Sequence, residues 1–380
     1  MDKKISILAG GELILSMAEN PTYYFEPLKP LFDEADFVFC HLEAPHTDRP
    51  IYQGRYVAPA APMKNIIGVK YAGIDLLTLA ANPTSSFGPY GVEDTIKWLD
   101  ENDIAYCGGG MTIDDARRPA IKEVKGVKLG FLSYDCTSAR SPAGYKKPGA
   151  AYVDVLTYYP PTSFPGEKPR AALTFLEPWS LQAMKDDIMD LRPQCDVLFV
   201  AIHKGLGFSA EIADYEYDIT REAIEAGADV IIGNHSHVIK PVEFYKDGVI
   251  FHSTSNLVTV FPWQVHSMFH IEPASTLTKS KLRPQRTGYA KALCDLDNAP
   301  NYPFPQKECL IGKLIVDAHS KKIVEVRMIP IYVNNEGQPI PVGRSENGQK
   351  VVDIMEQLTS TNDFGTKYTW EGDEVVVTPA

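Results

Sequence analysis

The sequence predicts an α/β fold in which strands and helices alternate along a chain of 380 residues. Two patterns carry this prediction. Short runs of β-branched and other apolar residues recur along the chain, and between them lie longer segments whose apolar residues recur every three to four positions. The first pattern is typical of buried strands and the second of amphipathic helices. Their alternation indicates helices that pack on the faces of a sheet.

The individual elements follow from these two patterns in chain order. The predicted strands are residues 5–9, 37–40, 76–79, 127–133, 197–202, 230–232, 249–251, 310–316 and 323–329. The predicted helices are residues 92–101, 181–191 and 212–226. Gly227 follows the last of these directly, at a position where glycine commonly ends a helix.

Two internal segments and the end of the chain lack both patterns. Residues 158–169 and 273–305 contain several prolines, and we expect them to form long surface loops of the kind that often contact substrates. The last residues read as a polar tail. We therefore assign residues 1–335 to one domain with these two loop insertions, and residues 336–380 to a C-terminal extension packed on the same domain.

The charge and the composition exclude several classes of partner. The chain has 37 Lys plus Arg against 49 Asp plus Glu, a net charge of −12, which argues against binding to nucleic acid or to an anionic membrane surface. No run of about 18 apolar residues predicts a membrane helix. The apolar start at residues 5–9 is expected to be a core strand and not a signal peptide. Six dispersed cysteines are expected to be reduced and mostly buried, so we expect a cytoplasmic protein.

Polar side chains with metal-binding chemistry follow most of the predicted strands. They are Glu12, His41, Glu43, Asn82, His203, His235 and His237. Because ligands gather outside the carboxyl ends of strands in open α/β sheets, these side chains are expected to converge on one site. Carboxylates, an amide oxygen and imidazoles suit Mn, Zn or Fe, and there are enough donors for one or two divalent ions.

Each of these residues also has a structural interpretation when it is taken alone. A single histidine after a strand is more often a hydrogen-bonded structural residue than a ligand, and Glu12 and Glu43 match helix-capping or solvated carboxylates equally well. The pair His235 and His237 is a stronger signal, because a bend after the strand can turn both imidazoles toward one centre. Convergence of the whole set is what favours a metal site.

The order of these motifs resembles the capsule-synthesis protein CapA (poly-gamma-glutamate biosynthesis) family, a branch of the calcineurin-like metallophosphatase superfamily. Residues 227–229 and 233–237 are similar to its G-A-D and G-H-H-P-H motifs, and residues 241–243 to its Q-P-x-E. Residues 203–205 resemble its H-W-G and residues 41–43 its N-L-E. The resemblance spans nearly the whole chain.

The resemblance implies a four-layer α/β/β/α sandwich of the metallophosphatase type, with a metal centre at the strand ends. Glu43, Asn82, His203, His235 and His237 match ligand positions of the family directly. Glu12 conservatively replaces an aspartate. The implied ligand set is therefore Glu12, Glu43, Asn82, His203, His235 and His237.

The sequence departs from the family pattern where a proton donor is expected. Residues 80–83 resemble the family's A-N-N-H, but Ala81 replaces its first asparagine and Pro83 its histidine. Proline cannot donate a proton, which argues against ordinary phosphomonoesterase activity. The catalytic candidates that remain near the strand ends are His41, Lys204 and His252. The substrate-binding candidates are Arg55 and Asn256.

The resulting hypothesis is a metal-dependent hydrolase that acts on a phosphoester or on an amide or γ-glutamyl bond of an anionic small molecule or peptide. One alternative is a metal-dependent epimerase or isomerase of an amino acid or peptide, because a metal-polarised carbonyl also favours proton abstraction. Another is a non-catalytic protein of polyglutamate or capsule assembly. No oligomeric state is predicted.

Overall fold

The computed structural model describes residues 4–49, 61–137, 141–159, 173–260 and 306–380, and its strands are as follows. The first ten are β1 (Lys4–Ile14), β2 (Phe37–Leu42), β3 (Leu76–Thr78), β4 (Ala105–Cys107), β5 (Gly109–Gly110), β6 (Ala120–Val124), β7 (Val127–Asp135), β8 (Gly149–Ala150), β9 (Val155–Tyr158) and β10 (Leu173–Leu176). The others are β11 (Val197–His203), β12 (Val230–Asn234), β13 (Ile239–Tyr245), β14 (Gly248–Thr254), β15 (Asn256–Thr259), β16 (Glu308–Asp317), β17 (Lys322–Val333), β18 (Pro339–Pro341), β19 (Thr366–Glu371) and β20 (Glu374–Pro379).

The helices lie between these strands. They are α1 (Lys29–Asp33), α2 (Ile67–Ala72), α3 (Gly88–Glu101), α4 (Ile113–Ala116), α5 (Pro178–Leu191), α6 (Asp214–Ala226) and α7 (Glu346–Thr361). Short 3-10 turns cover Tyr23–Phe25, Met63–Ile66 and Arg192–Gln194. Every predicted strand and helix overlaps an observed element of the same type. No helix within the described ranges is long and apolar enough to cross a membrane.

Two large sheets lie face to face at the centre of the molecule. One has ten strands in the order β19-β20-β17-β16-β1-β2-β3-β4, with β15 paired to β1 and β18 to β17. The other has six strands in the order β13-β14-β12-β11-β7-β6. Two small two-stranded sheets, β5 with β8 and β9 with β10, complete the set within the described residues.

Alternation along the strands divides the apolar side chains into three layers. On β1, Ile5 and Ile7 point into the core between the two sheets, whereas Leu8 packs on the side of α2 and α3. On β11, Phe199 points into the same inter-sheet core, whereas Leu198 packs on the side of α5 and α6. Successive strand residues face opposite sides of a sheet, so both sheets are buried on both faces. The predicted four-layer α/β/β/α sandwich is confirmed.

The C-terminal segment is wrongly predicted as a polar tail. Its helix α7 buries Val351, Val352 and Met355 in the inter-sheet core, and β19 and β20 extend the ten-stranded sheet beside β17. The exposed face of α7 is polar, which gives the segment its polar composition although one face is apolar. The domain boundary at residue 335 stays a prediction.

The cysteines follow the expectation where the structure describes them. Cys40, Cys107, Cys136, Cys195 and Cys309 are buried free thiols. Cys294 lies outside the described residues, as do the predicted loop at 273–305 and most of the loop at 158–169.

The strand β1 changes partner at Gly10 and Gly11. On one side it pairs with β16 up to Ala9 and in parallel with β15 from Glu12, whereas on the other side it pairs with β2 both before and after a register shift between Ala9 and Glu12. The backbones approach so closely there that a Cβ atom on Gly11 would lie 2.2 Å from the carbonyl oxygen of Ser255. A glycine is therefore required to seat Glu12, whose backbone N–H donates to that same oxygen at 3.1 Å.

We expect Gly11→Ala to lower the free energy of unfolding by about 1–3 kcal/mol, because the added methyl group must push the two strands apart. Urea unfolding measures this loss. The matched control is Gly144→Ala, whose added Cβ would meet nothing closer than the Cβ of Lys147 at 3.5 Å. Equal effects of the two substitutions would contradict the packing argument.

Candidate metal centre

The six predicted ligand residues come together at the carboxyl ends of neighbouring strands. Strand β1 carries Glu12, and β11 ends at His203. Glu43, Asn82, His235 and His237 follow β2, β3 and β12 closely. Because the two sheets face each other, side chains that point inward from both meet between them. The clustering is thus a consequence of the topology, while the ligand role of each residue stays a prediction.

One part of the cluster contains an amide and two imidazoles. The Nε2 atom of His203 lies 2.7 Å from Oδ1 of Asn82 and 3.0 Å from Nδ1 of His235. The rings of His203 and His235 have centroids 4.7 Å apart. These donor atoms are close enough to share one small cation.

The other part of the cluster contains the two carboxylates. Nδ1 of His237 lies 2.7 Å from Oε2 of Glu12 and 4.0 Å from Oε2 of Glu43. Glu12 Oε1 lies 3.7 Å from Nδ1 of His203 and accepts a hydrogen bond from the backbone N–H of His235. Glu12 therefore links the two parts.

Two sets of ligand atoms have the spacing that a cation requires. In each set, one atom from every residue lies within 4.8 Å of the others; the sets are Glu12, His41 and His203, and Glu12, Glu43 and His237. All five residues are buried. Within the described residues, Nε2 of His41 and Nδ1 of His203 have no hydrogen-bond partner. Bare buried acceptors beside carboxylates fit a divalent ion, which would satisfy them.

The two carboxylates have pKa values shifted in opposite directions, one by burial and repulsion and the other by a neighbouring imidazole. Burial raises the pKa of Glu43 well above its usual value, and the adjacent Glu12 raises it further. Burial would also raise the pKa of Glu12, but His237 more than offsets it and lowers that pKa to about 2. The ionised carboxylate of Glu12 is thus the main negative charge of the cluster.

The imidazoles also divide into two kinds. Burial opposes the charge on His237, yet Glu12 and Glu43 raise its pKa to about 9. Burial lowers the pKa of His41 to about 4 and, together with His237, that of His235 to about 3. In the metal-free protein His237 therefore carries the proton that balances the carboxylates, while His41 and His235 are neutral with lone pairs available.

The backbone is strained where it enters the cluster. His235, His237 and Ser255 have φ angles of 88°, 53° and 65°, in the left-handed region that favours glycine. Such a conformation costs on the order of 1–3 kcal/mol per residue and is concentrated at functional sites. The strain turns both imidazoles of the His235-Ser236-His237 segment toward the carboxylates.

Of the three catalytic candidates, only His41 lies at the cluster; Lys204 and His252 point away from it. Lys204 directly follows β11 and His252 lies within β14, so strand alternation directs both side chains to the side of the sheet that α6 covers. Lys204 Nζ donates to Glu216 at 2.9 Å, and His252 Nε2 lies 2.9 Å from Glu243. Their assignment as proton donors at the site is therefore wrong.

The substrate-binding candidates have different outcomes. Asn256 is buried, and its Oδ1 lies 2.8 Å from Nδ1 of His237, so its side chain orients that imidazole and does not reach toward solvent. Its assignment as a substrate-contacting residue is corrected accordingly. Arg55 lies outside the described residues.

Two residues at the cluster were missed from the sequence. Asp135 ends β7 beside His203, and its charge contributes to the raised pKa of Glu43, after burial and Glu12. Thr78 ends β3, and its hydroxyl lies 2.9 Å from Nδ1 of His41. Asp135 closely follows the predicted strand at 127–133, so the rule that identified the other candidates would also have identified it. Thr78 lies inside the predicted strand at 76–79, and that rule passes over it.

A comparison with protein families identifies the chain. Residues 6–260 match the family described as bacterial capsule synthesis protein PGA_cap. The chain belongs to this family. The resemblance to CapA proteins that the motifs indicate is thus confirmed.

Relatives of this PGA_cap chain include two CapA proteins. The capsule biosynthesis protein CapA of Bacillus anthracis is 27% identical over 246 residues, which cover 63% of this chain and 54% of that protein. The PGA biosynthesis protein CapA of Bacillus subtilis (strain 168) is 24% identical over 243 residues, covering 63% of this chain and 57% of that protein. The chain spans about half the length of these two relatives. A crystal structure of a phosphatase from Mycoplasma pneumoniae aligns with 87% of this chain and 95% of its own, with a TM-score of 0.49 and 14% identity.

We expect cation binding to release at least one proton, because a divalent ion at the carboxylates displaces the proton that His237 holds at pH 7. Isothermal titration calorimetry in two buffers of different ionisation enthalpy measures this release. The dissociation constant should rise about tenfold for each pH unit below 9. Binding without proton release and without pH dependence would contradict this charge assignment.

Proposed function

We propose that this protein is a metal-dependent hydrolase that uses one or two divalent ions, Mn, Zn or Fe, to cleave a phosphoester or an amide or γ-glutamyl bond. The observation that carries the proposal is the buried cluster of carboxylates and imidazoles between the sheets, with bare acceptor atoms directed into it. A structural ion pair does not need several neutral imidazoles beside two carboxylates that repel each other. A cation-binding site uses both kinds of group as ligands.

The residues of the cluster have separable tasks in this proposal. When bound, a divalent ion lowers the pKa of water to roughly 7 and polarises a phosphoryl or carbonyl oxygen. Glu12 and Glu43 supply the negative charge that holds the ion, and His203, His235 and Asn82 supply neutral donors. Asn256 and the strained backbone fix the direction of His237. Burial between the sheets limits access of bulk water.

The charge of the chain bears on the substrate. With a net charge of −12, the surface as a whole repels anions, so an anionic substrate gains attraction only where bound cations offset the carboxylates. The names of the two Bacillus relatives refer to capsule and PGA biosynthesis. A γ-glutamyl substrate fits both points, and we propose it beside the phosphoester.

A second candidate function is favoured by the same names. A non-catalytic assembly protein for an anionic polymer could use the cation as a structural or binding element. The two functions differ in turnover: an assembly protein binds polyglutamate but hydrolyses neither phosphoesters nor γ-glutamyl bonds. Incorporation of solvent deuterium without hydrolysis would instead indicate the epimerase alternative.

We expect the purified protein to contain a divalent metal and to hydrolyse one of the two substrate classes. Metal analysis and a screen of phosphoester, amide and γ-glutamyl substrates measure this. Glu43→Gln should lose the metal and at least 100-fold of the activity, since removing an interaction used throughout the reaction costs several kcal/mol. The matched control is Glu308→Gln, because Glu308 is 6% exposed, like Glu43 at 7%, but lies on β16 and pairs with Lys350. A fully active protein without metal would refute the proposal.

A further inference from the structure

We propose that His41 is a ligand of the cation, through its Nε2 atom, and that Thr78 holds its ring in place for this role. The inference deepens the proposed function and rests on it, since it requires the cluster to bind a divalent ion. It replaces the proton-donor role that the sequence suggested for His41. Thr78 becomes a positioning residue.

The fold fixes the ring of His41 from two sides. His41 lies on β2, where its register partners are Glu12 on β1 and Thr78 on β3. Its side chain is 1% exposed, and its ring stacks on that of His203 with centroids 4.9 Å apart and planes at 29°. The ring thus lies between the ten-stranded and the six-stranded sheet, in contact with residues of both.

The hydrogen bonds of Thr78 assign the tautomer of His41. The hydroxyl of Thr78 lies between two partners, Nδ1 of His41 at 2.9 Å and the carbonyl oxygen of Cys40 at 3.5 Å. Because a carbonyl oxygen can only accept, a hydroxyl that serves both partners donates to Cys40 and accepts from Nδ1–H of His41. The proton of the neutral imidazole therefore lies on Nδ1. This leaves a lone pair on Nε2 and no proton there to donate.

The free nitrogen belongs to a ring that lies at the cluster. Among the described residues, Nε2 of His41 has no hydrogen-bond partner, and an atom of His41 lies within 4.8 Å of ligand atoms of Glu12 and His203. A buried acceptor without a partner is destabilising, and a cation bound at this nitrogen would satisfy it. Metal-bound histidines almost always donate their other N–H to a neighbouring oxygen, and Thr78 provides that oxygen.

A ligand role for His41 affects which metal the site prefers. With His41, the cluster offers an additional nitrogen donor beside its carboxylates. Nitrogen-rich sites favour Zn, Fe or Co over Mg and Ca, which prefer oxygen ligands. We therefore expect the protein to select the former ions from a mixture.

The test counts imidazoles on the metal and does not depend on activity. X-ray absorption of the Co- or Zn-loaded protein should show one imidazole fewer on the metal in His41→Gln than in the wild type. The dissociation constant of the metal, measured by titration, should be 10–100-fold higher in the variant. His319→Gln is the control, because His319 is exposed on a turn and its loss should change neither quantity. Thr78→Val should weaken binding about tenfold with the imidazole count unchanged, and Thr78→Ser should restore it.

The outcomes separate this inference from the proposed function. A wild type that binds no divalent ion overturns both. A His41→Gln protein that is folded and keeps the wild-type imidazole count and affinity overturns only the role of His41. If that variant does not fold, ¹⁵N spectra of the ¹¹³Cd-loaded wild type decide: a nitrogen–cadmium coupling on the ring that contacts Thr78 supports the inference, and its absence overturns it.

Discussion

Two carboxylates that repel each other are buried at the same point between the sheets, and the other features of the site follow from this constraint. Burial and the charge of Glu12 raise the pKa of Glu43, and in the metal-free protein a protonated His237 supplies the compensating charge. Charge pairs in the interior are costly to desolvate, so a site of this kind adds little to stability. A divalent ion satisfies the same electrostatics with stronger and more directional bonds.

The alternation of side chains along the strands decides which polar residues reach the cluster and which support it from the outer layer. Inward-facing positions of β1 and β11 carry Glu12 and His203, which meet across the inter-sheet core. The residue that follows β11, Lys204, turns outward, and there Glu216 on α6 binds both Lys204 and Lys240. A step of one residue along the chain thus decides whether a polar side chain points to the cluster or to the outer helix layer.

Much of this was predictable from the sequence, since apolar runs locate strands and the residue types after them indicate a metal. The errors have a physical cause. Strands β11 and β14 run past the predicted strand ends at residues 202 and 251. Lys204, directly after β11, and His252, within β14, therefore still obey strand alternation and point to the outer layer. The tail was misjudged because α7 buries only one stripe of its surface. Thr78 and the tautomer that it fixes on His41 depend on pairing between distant strands, which residue order alone does not show.

The most direct test of cation binding at the cluster is a crystal structure of the protein grown with Zn or Mn, with anomalous data collected at the absorption edge of that metal. If the cluster binds a cation, we expect one or two anomalous peaks between the two sheets, within bonding distance of Glu12 and of imidazoles on both sides of it. Anomalous peaks only on the protein surface, with no metal at the cluster although the crystals were grown at saturating metal, would contradict this expectation.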